Sequence, residues 1–160
     1  MTPEQYVQKL IEISKKKQQS LLQILNLTKD QTAVIAEAEA DEIERLIQSK
    51  QLLIDNINEM DAEFEVYYSR LKSILNIQSI EEVKETQIQG AAELKQIVTA
   101  IVSAIKQIQS LEIENKKKAE EVVNNLASDI RRIKQSKVAN NGYNVAARMP
   151  RPSYFFDQKK

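Results

Sequence analysis

From Glu4 to Ala139 the chain contains no proline and a single glycine, Gly90. No other feature constrains the fold as much. Hairpins and tight loops need Gly, Pro or Asn as punctuation between β-branched and aromatic runs, and such punctuation is almost missing here. The intervening residues are mostly Glu, Gln, Lys, Ile, Leu and Ala, the composition of long helices and coiled coils. Aromatic residues make up only 5 % and Trp is absent. The expected class is therefore all-α: a long antiparallel helical hairpin plus a third long helix, packed as a coiled-coil-like three- or four-helix bundle. Residues 1–137 form that domain, and 138–160 a flexible C-terminal tail.

The periodicity places the elements. Thr2-Pro3-Glu4-Gln5 is a helix start, with Thr as N-cap, Pro at the first helical position and Gln at the capping-box position. Apolar residues then recur at Tyr6/Val7, Leu10/Ile11, Leu21/Leu22, Ile24/Leu25, Thr28 and Ile35, interrupted by the polar run Ser14 to Ser20. That run is expected to face water or to form a polar layer. The pattern changes phase between Ala36 and Ala40, where the hairpin turn is placed, with Asp41 as an Asx-type cap for the second helix. Ile43, Lys50, Ile57, Phe64 and Leu71 are seven apart, and Leu46/Ile47, Leu53/Ile54, Met60, Tyr67 and Ile74 fill the alternate position. This is a heptad seam with Lys50 as its one polar exception, a residue expected to set register. Tyr67, Tyr68 and Phe64 are read as packing within it.

A break follows at Asn76 to Ser79, then a capping box at Ser79 and a short helical piece to about Thr86. The last helix carries Leu94, Ile97/Val98, Ile101, Ile105, Ile108, Leu111, Asn115, Ala119, Val122, Leu126, Ile130 and Ile133. Two helices of about 35 residues span roughly 50 Å at 1.5 Å per residue. A third helix of matched length ends near Asn125 if it starts near Gly90, and near Glu114 if it starts at Ser79. Leu126, Ile130 and Ile133 thus fall at or past the end of the hairpin, on an apolar face in want of a partner.

Composition also removes function classes. There is no cysteine and no histidine, hence no thiolate metal site, no thiol nucleophile, no imidazole base and no Ser-His-Asp arrangement. Two isolated glycines cannot build a phosphate-cradling loop. The carboxylate pairs Glu81/Glu82 and Glu120/Glu121 are read as solvated. No enzyme, cofactor or metal site is expected. The N-terminal residues lack the basic and apolar regions of a signal peptide, and no apolar run approaches a membrane span. The protein is expected to be soluble and cytoplasmic, without stable membrane insertion.

Charge is balanced overall but divided. Residues 1–115 hold 12 Lys/Arg against 19 Asp/Glu, and residues 116–160 hold 11 against 4. The basic end is scattered, without the stripe a nucleic-acid site would show. Two features instead suggest protein binding. One is the amphipathic stretch Ala119, Val122, Val123, Leu126, Ile130 and Ile133. The other is the Tyr154-Phe155-Phe156 cluster in a polar tail, which either docks on the bundle or recognises a partner.

The stretch Leu21-Leu22-x-x-Leu25, Thr28-x-x-Gln31, Ile35, Asp41, Leu46, Lys50-x-x-Leu53-Ile54-x-x-Ile57 and Phe64 resembles the FlgN-type flagellar export chaperones. The ending Tyr154-Phe155-Phe156-Asp157-Gln158-Lys159 is similar to the aromatic-Asp-Lys terminus of Gram-positive members. Where the family continues with apolar residues after Asn115, this chain has Lys116-Lys117-Lys118. The resemblance implies a helical cytoplasmic chaperone with no cofactor. It would bind hook-associated proteins of the hook–filament junction before export, engaging the client's C-terminal helical region through its own C-terminal part. It would then hand them to the type III export apparatus. The residue-level reading leaves other classes open: a structural coiled coil that self-associates, with a homodimer as its simplest form, or a nucleic-acid or membrane adaptor using the basic tail.

Overall fold

The computed structural model describes residues 1–84 and 87–135. Three long helices account for most of them: α1 Pro3–Ala36, α2 Ala40–Leu75 and α3 Ala91–Gln135, of 34, 36 and 45 residues. There is no strand among the described residues. The all-α hairpin with a third, longer helix is as the periodicity requires.

α1 packs closely along both α2 and α3. Lys17 pairs with Asp61 at 2.6 Å and Lys50 donates to Gln31 at 2.5 Å, so sequence numbers run in opposite directions along α1 and α2. Val7 and Ile11 lie beside Gly90, whereas Thr32 bonds Asn115, so α1 and α3 run parallel. The bundle is up-down-up.

Local chemistry sets the boundaries. Thr2 forms the expected capping box with Gln5. The turn between α1 and α2 is closed by Ala38 at φ 55. α2 begins one residue before Asp41, with Glu39 as its cap and no side-chain cap bond. Asp41 therefore is not the cap: it joins Glu42 in the first turn, where carboxylates complement the positive end of the helix dipole. α2 ends at Asn76 in the left-handed region, φ 52, a conformation Asn tolerates. Its successor's N–H returns to the Lys72 carbonyl, closing the end of the helix. After this, Ser79 and Glu82 cap a single 3-10 turn, Ile80–Glu82, shorter than the helical piece expected. The Tyr68 hydroxyl accepts from the Ile80 N–H, and Lys95 donates to the Val83 carbonyl. These two bonds hold the connection against the bundle. Gly90, at φ 90, starts α3 with its Cα side against Val7 and Ile11.

The main apolar core runs from Tyr6 and Val7 to Ile24 and Leu25 on α1, with Ile54, Ile57 and Leu71 from α2 and Ala91 through Ile108 from α3. Phe64, Tyr67 and Tyr68 lean on it half-buried, so the aromatic trio is packing. The Ser14–Ser20 run divides: Ser14 is buried, Lys17 bridges to α2, and Lys16, Gln19 and Ser20 line a groove open to solvent. The heptad seam of α2 holds at Ile43, Lys50, Ile57 and Leu71 but not at Ile74, which is 52 % exposed. A strict seven-residue repeat drifts by about 20° per heptad on a straight helix. Four heptads carry Ile74 off the buried face, and Leu75 packs in its place.

Candidate functional site

The turn end of the bundle combines a polar layer, a small apolar cluster and the free length of α3. The layer comes first along the chain. Lys50 is fully buried, and its ammonium donates to Gln31 Oε1 at 2.5 Å and to Glu112 Oε1, an ion pair whose carboxylate side chain is 5 % exposed. Thr28 Oγ1 donates to the Ile24 carbonyl at 2.7 Å and lies 3.4 Å from the same carboxylate oxygen. Asn115 Nδ2 donates to the Thr28 carbonyl at 3.1 Å, and Asn115 Oδ1 accepts from Thr32 Oγ1 at 2.5 Å. Burial pushes the Lys50 amine below the ordinary lysine range and the Glu112 carboxyl above that of a free glutamate, each partly offset by the other's charge. A lone buried charge is far costlier than a paired one. The layer therefore allows only the alignment of the three helices that brings Lys50 to Glu112.

Sequence reasoning singled out Lys50 and missed Glu112. Glu112 lies seven residues after Ile105, within the apolar stripe of α3, and that position was the available signal. Its neighbours Glu114 and Lys116-Lys117-Lys118 make the segment look uniformly solvated.

Beyond the layer, Ile35, Ile43 and Ala119 form a second buried cluster, with Val34, Ala38, Ala40, Ile47, Val122, Val123 and Leu126 packed around it. Of the residues proposed from sequence, Ala119 is 4 % exposed and belongs to this internal cluster. Val122, Val123 and Leu126 are half-buried on the hairpin turn, and Ile130 is half-buried further along. Ile133 is 44 % exposed. Tyr154, Phe155 and Phe156 lie outside the described residues.

Because Ile35 packs level with Ala119, the helix from Glu120 to Gln135 lies at or past the turn, about 24 Å at 1.5 Å per residue. Its polar side is acidic first, at Glu120 and Glu121, then basic at Arg131, Arg132 and Lys134, all exposed. Arg132 pairs with Asp129 one turn back. Cations in the last turn complement the negative end of the dipole. No helix among the described residues is long and apolar enough to cross a membrane.

The fold thus defines an all-α, coiled-coil-like bundle whose longest helix outruns its hairpin. The model of the FlgN protein family matches residues 1–151, and the chain belongs to that family. Its members are cytoplasmic chaperones of flagellar export rather than enzymes, with flagellar hook-associated proteins as clients. No curated protein and no solved structure matches the chain.

Proposed function

We propose that this chain binds flagellar hook-associated proteins of the hook–filament junction before export, through the apolar face of α3 that continues past the hairpin turn. The carrying observation is that Val122, Val123, Leu126, Ile130 and Ile133 extend a stripe whose buried members end at Ala119. A client helix laid against that face would complete a helix-in-groove contact, its apolar side chains spaced at i, i+3, i+4 and i+7. Each aliphatic side chain removed from water contributes on the order of 1.5–3 kcal/mol. Part of that surface is already covered by the turn cluster, so the gain supports release as well as capture. Tyr154, Phe155 and Phe156 are proposed to add a second apolar contact. Delivery to the export apparatus in the cytoplasm follows on this reading.

Ile130→Asp with Ile133→Asp tests it with purified hook-associated client. These positions are chosen because Leu126 packs on the hairpin turn, where a charge would also cost stability. Loss of client capture at an unchanged melting temperature is expected. Full capture by a folded double variant would place the client elsewhere.

A further inference from the structure

The outward face of α2 is acidic along its middle. From Gln51 to Ser69 that helix carries Asp55, Glu59, Asp61, Glu63 and Glu65 and no Lys or Arg. Leu52, Asp55, Glu59, Glu63 and Val66 follow one another at steps of three and four, so they share one side of the helix. All five are exposed, Leu52 at 72 % and Val66 at 48 %. Beside them a groove of about 370 Å³ runs between α1 and α2, lined by Lys16 and Gln23 of α1 and by Asn56, Glu59, Met60 and Glu63 of α2. Half-buried Met60 brings a thioether to that groove, a soft surface that packs well against aromatic rings. Asp61 is engaged by Lys17, and Glu63 reaches Lys9 only at 3.6 Å. Glu59 makes no ion pair among the described residues.

Residues 136–160 lie outside the described residues, and their sequence complements this face. They hold Lys137, Arg148, Arg151, Lys159 and Lys160 against Asp157, with Tyr154, Phe155 and Phe156 side by side. Chain length limits where that segment can go. Gln135 stands about 24 Å past the level of Ala119 and Ile43, and Glu59 is about 24 Å from Ile43 along α2, at 1.5 Å per residue. The stretch from Gln135 to Tyr154 spans at most about 63–68 Å. It covers the roughly 48 Å back to Glu59 but not the roughly 70 Å to exposed Ile74. The groove between α1 and α3 is lined by Lys29 and Lys106, which repel a basic segment. We propose that the C-terminal segment folds back in cis onto the outward face of α2. Arg148 and Arg151 then meet Asp55 and Glu59 in chain order, and the Tyr154-Phe155-Phe156 cluster enters the groove at Met60. Tethering gives the segment an effective concentration on the order of millimolar, so a weak contact is enough. The same cluster is the proposed second client contact, and the fold-back shelters it until a client draws it off. The contact stands independently of the client reading, because it is measured on the chain alone.

The chain has no cysteine, so Gln158→Cys takes a single nitroxide label in the full chain. Backbone amide signals, compared before and after the nitroxide is reduced, read which residues lie near it. Amides from Asn56 to Glu63, and those of Gln19 to Gln23 across the groove, should lose most of their intensity while the nitroxide is active. Arg148→Glu with Arg151→Glu should abolish that loss, and so should Asp55→Arg with Glu59→Arg. The four changes together should restore it. Asp55 and Glu59 are exposed, and circular dichroism verifies that helicity is kept. The reversal of Arg148 and Arg151 leaves the three-helix bundle unaltered, so it decides even if the α2 pair weakens the fold. Signal loss confined to α3 beyond the turn, or no loss anywhere, overturns the proposal. So does a loss indifferent to the reversals, or one the four changes fail to restore. A mixture of nitroxide-bearing chains with isotope-labelled chains lacking the nitroxide tests the cis geometry. Loss of equal size between copies places the segment on a neighbour and overturns the fold-back.

Discussion

Lys50 of α2 and Glu112 of α3 meet in an ion pair inside the bundle, 62 residues apart in sequence and both almost wholly removed from water. The pair lies between the main apolar core and the small cluster at the hairpin turn. It links α2 directly to α3. Sliding α3 along α1 by one turn would separate the charges and bury each against apolar neighbours, so the pair fixes where α3 stands and how far it outruns the turn.

Removing one partner should cost more than removing both. Lys50→Met leaves the Glu112 carboxylate buried without its cation, a change that typically costs about 3–5 kcal/mol. Lys50→Met with Glu112→Leu replaces the pair by apolar groups of similar size, and should recover most of that loss. Urea unfolding of the four-member cycle measures the coupling. Equal destabilisation by the single and double variants would contradict an ion pair at this position.

Gly90 is required twice over. At φ 90 an L side chain is strained, and a Cβ would lie 3.1 Å from both Ile11 Cδ1 and Val7 Cγ1. Gly90→Ala should therefore destabilise the fold by about 1–3 kcal/mol, the usual range for overpacking a core. Thermal unfolding checks it, and a variant melting with the parent would mean that α3 starts differently.

The α2 face can be tested by a matched pair of charges. Ile57 is fully buried, so Ile57→Asp should unfold the domain or lower its stability by several kcal/mol. Ile74→Asp, at a half-exposed position, should fall within about 1 kcal/mol of the parent. A strict heptad seam would make the two equally damaging, which circular dichroism melts can decide.

The three helices, the turn near Ala38 and the break at Asn76 were legible because each rests on local chemistry: periodicity, a capping box and a missing apolar phase. Ile74 was misplaced because the heptad pattern was extended without the drift of a straight helix. Asp41 was misplaced because its pattern fits the first turn of a helix as well as its cap. Glu112 was missed for a different reason. Its place in the apolar stripe hints at burial, but what makes a buried carboxylate tolerable is the cation opposite, and Lys50 is 62 residues away. The overhang of α3 could be inferred from length alone, but not that Ala119 turns inward, since that depends on where Ile35 and Ile43 place the turn cluster.

On the proposed function, client binds on α3 beyond the hairpin turn. Hydrogen exchange of the chain with and without purified hook-associated client reads this directly, amide by amide. The amides of α3 from Val122 to Ile133 should gain the largest protection, with the α1–α2 body nearly unchanged. Protection confined to α1 and α2, with the end of α3 exchanging as in the free chain, would contradict the account.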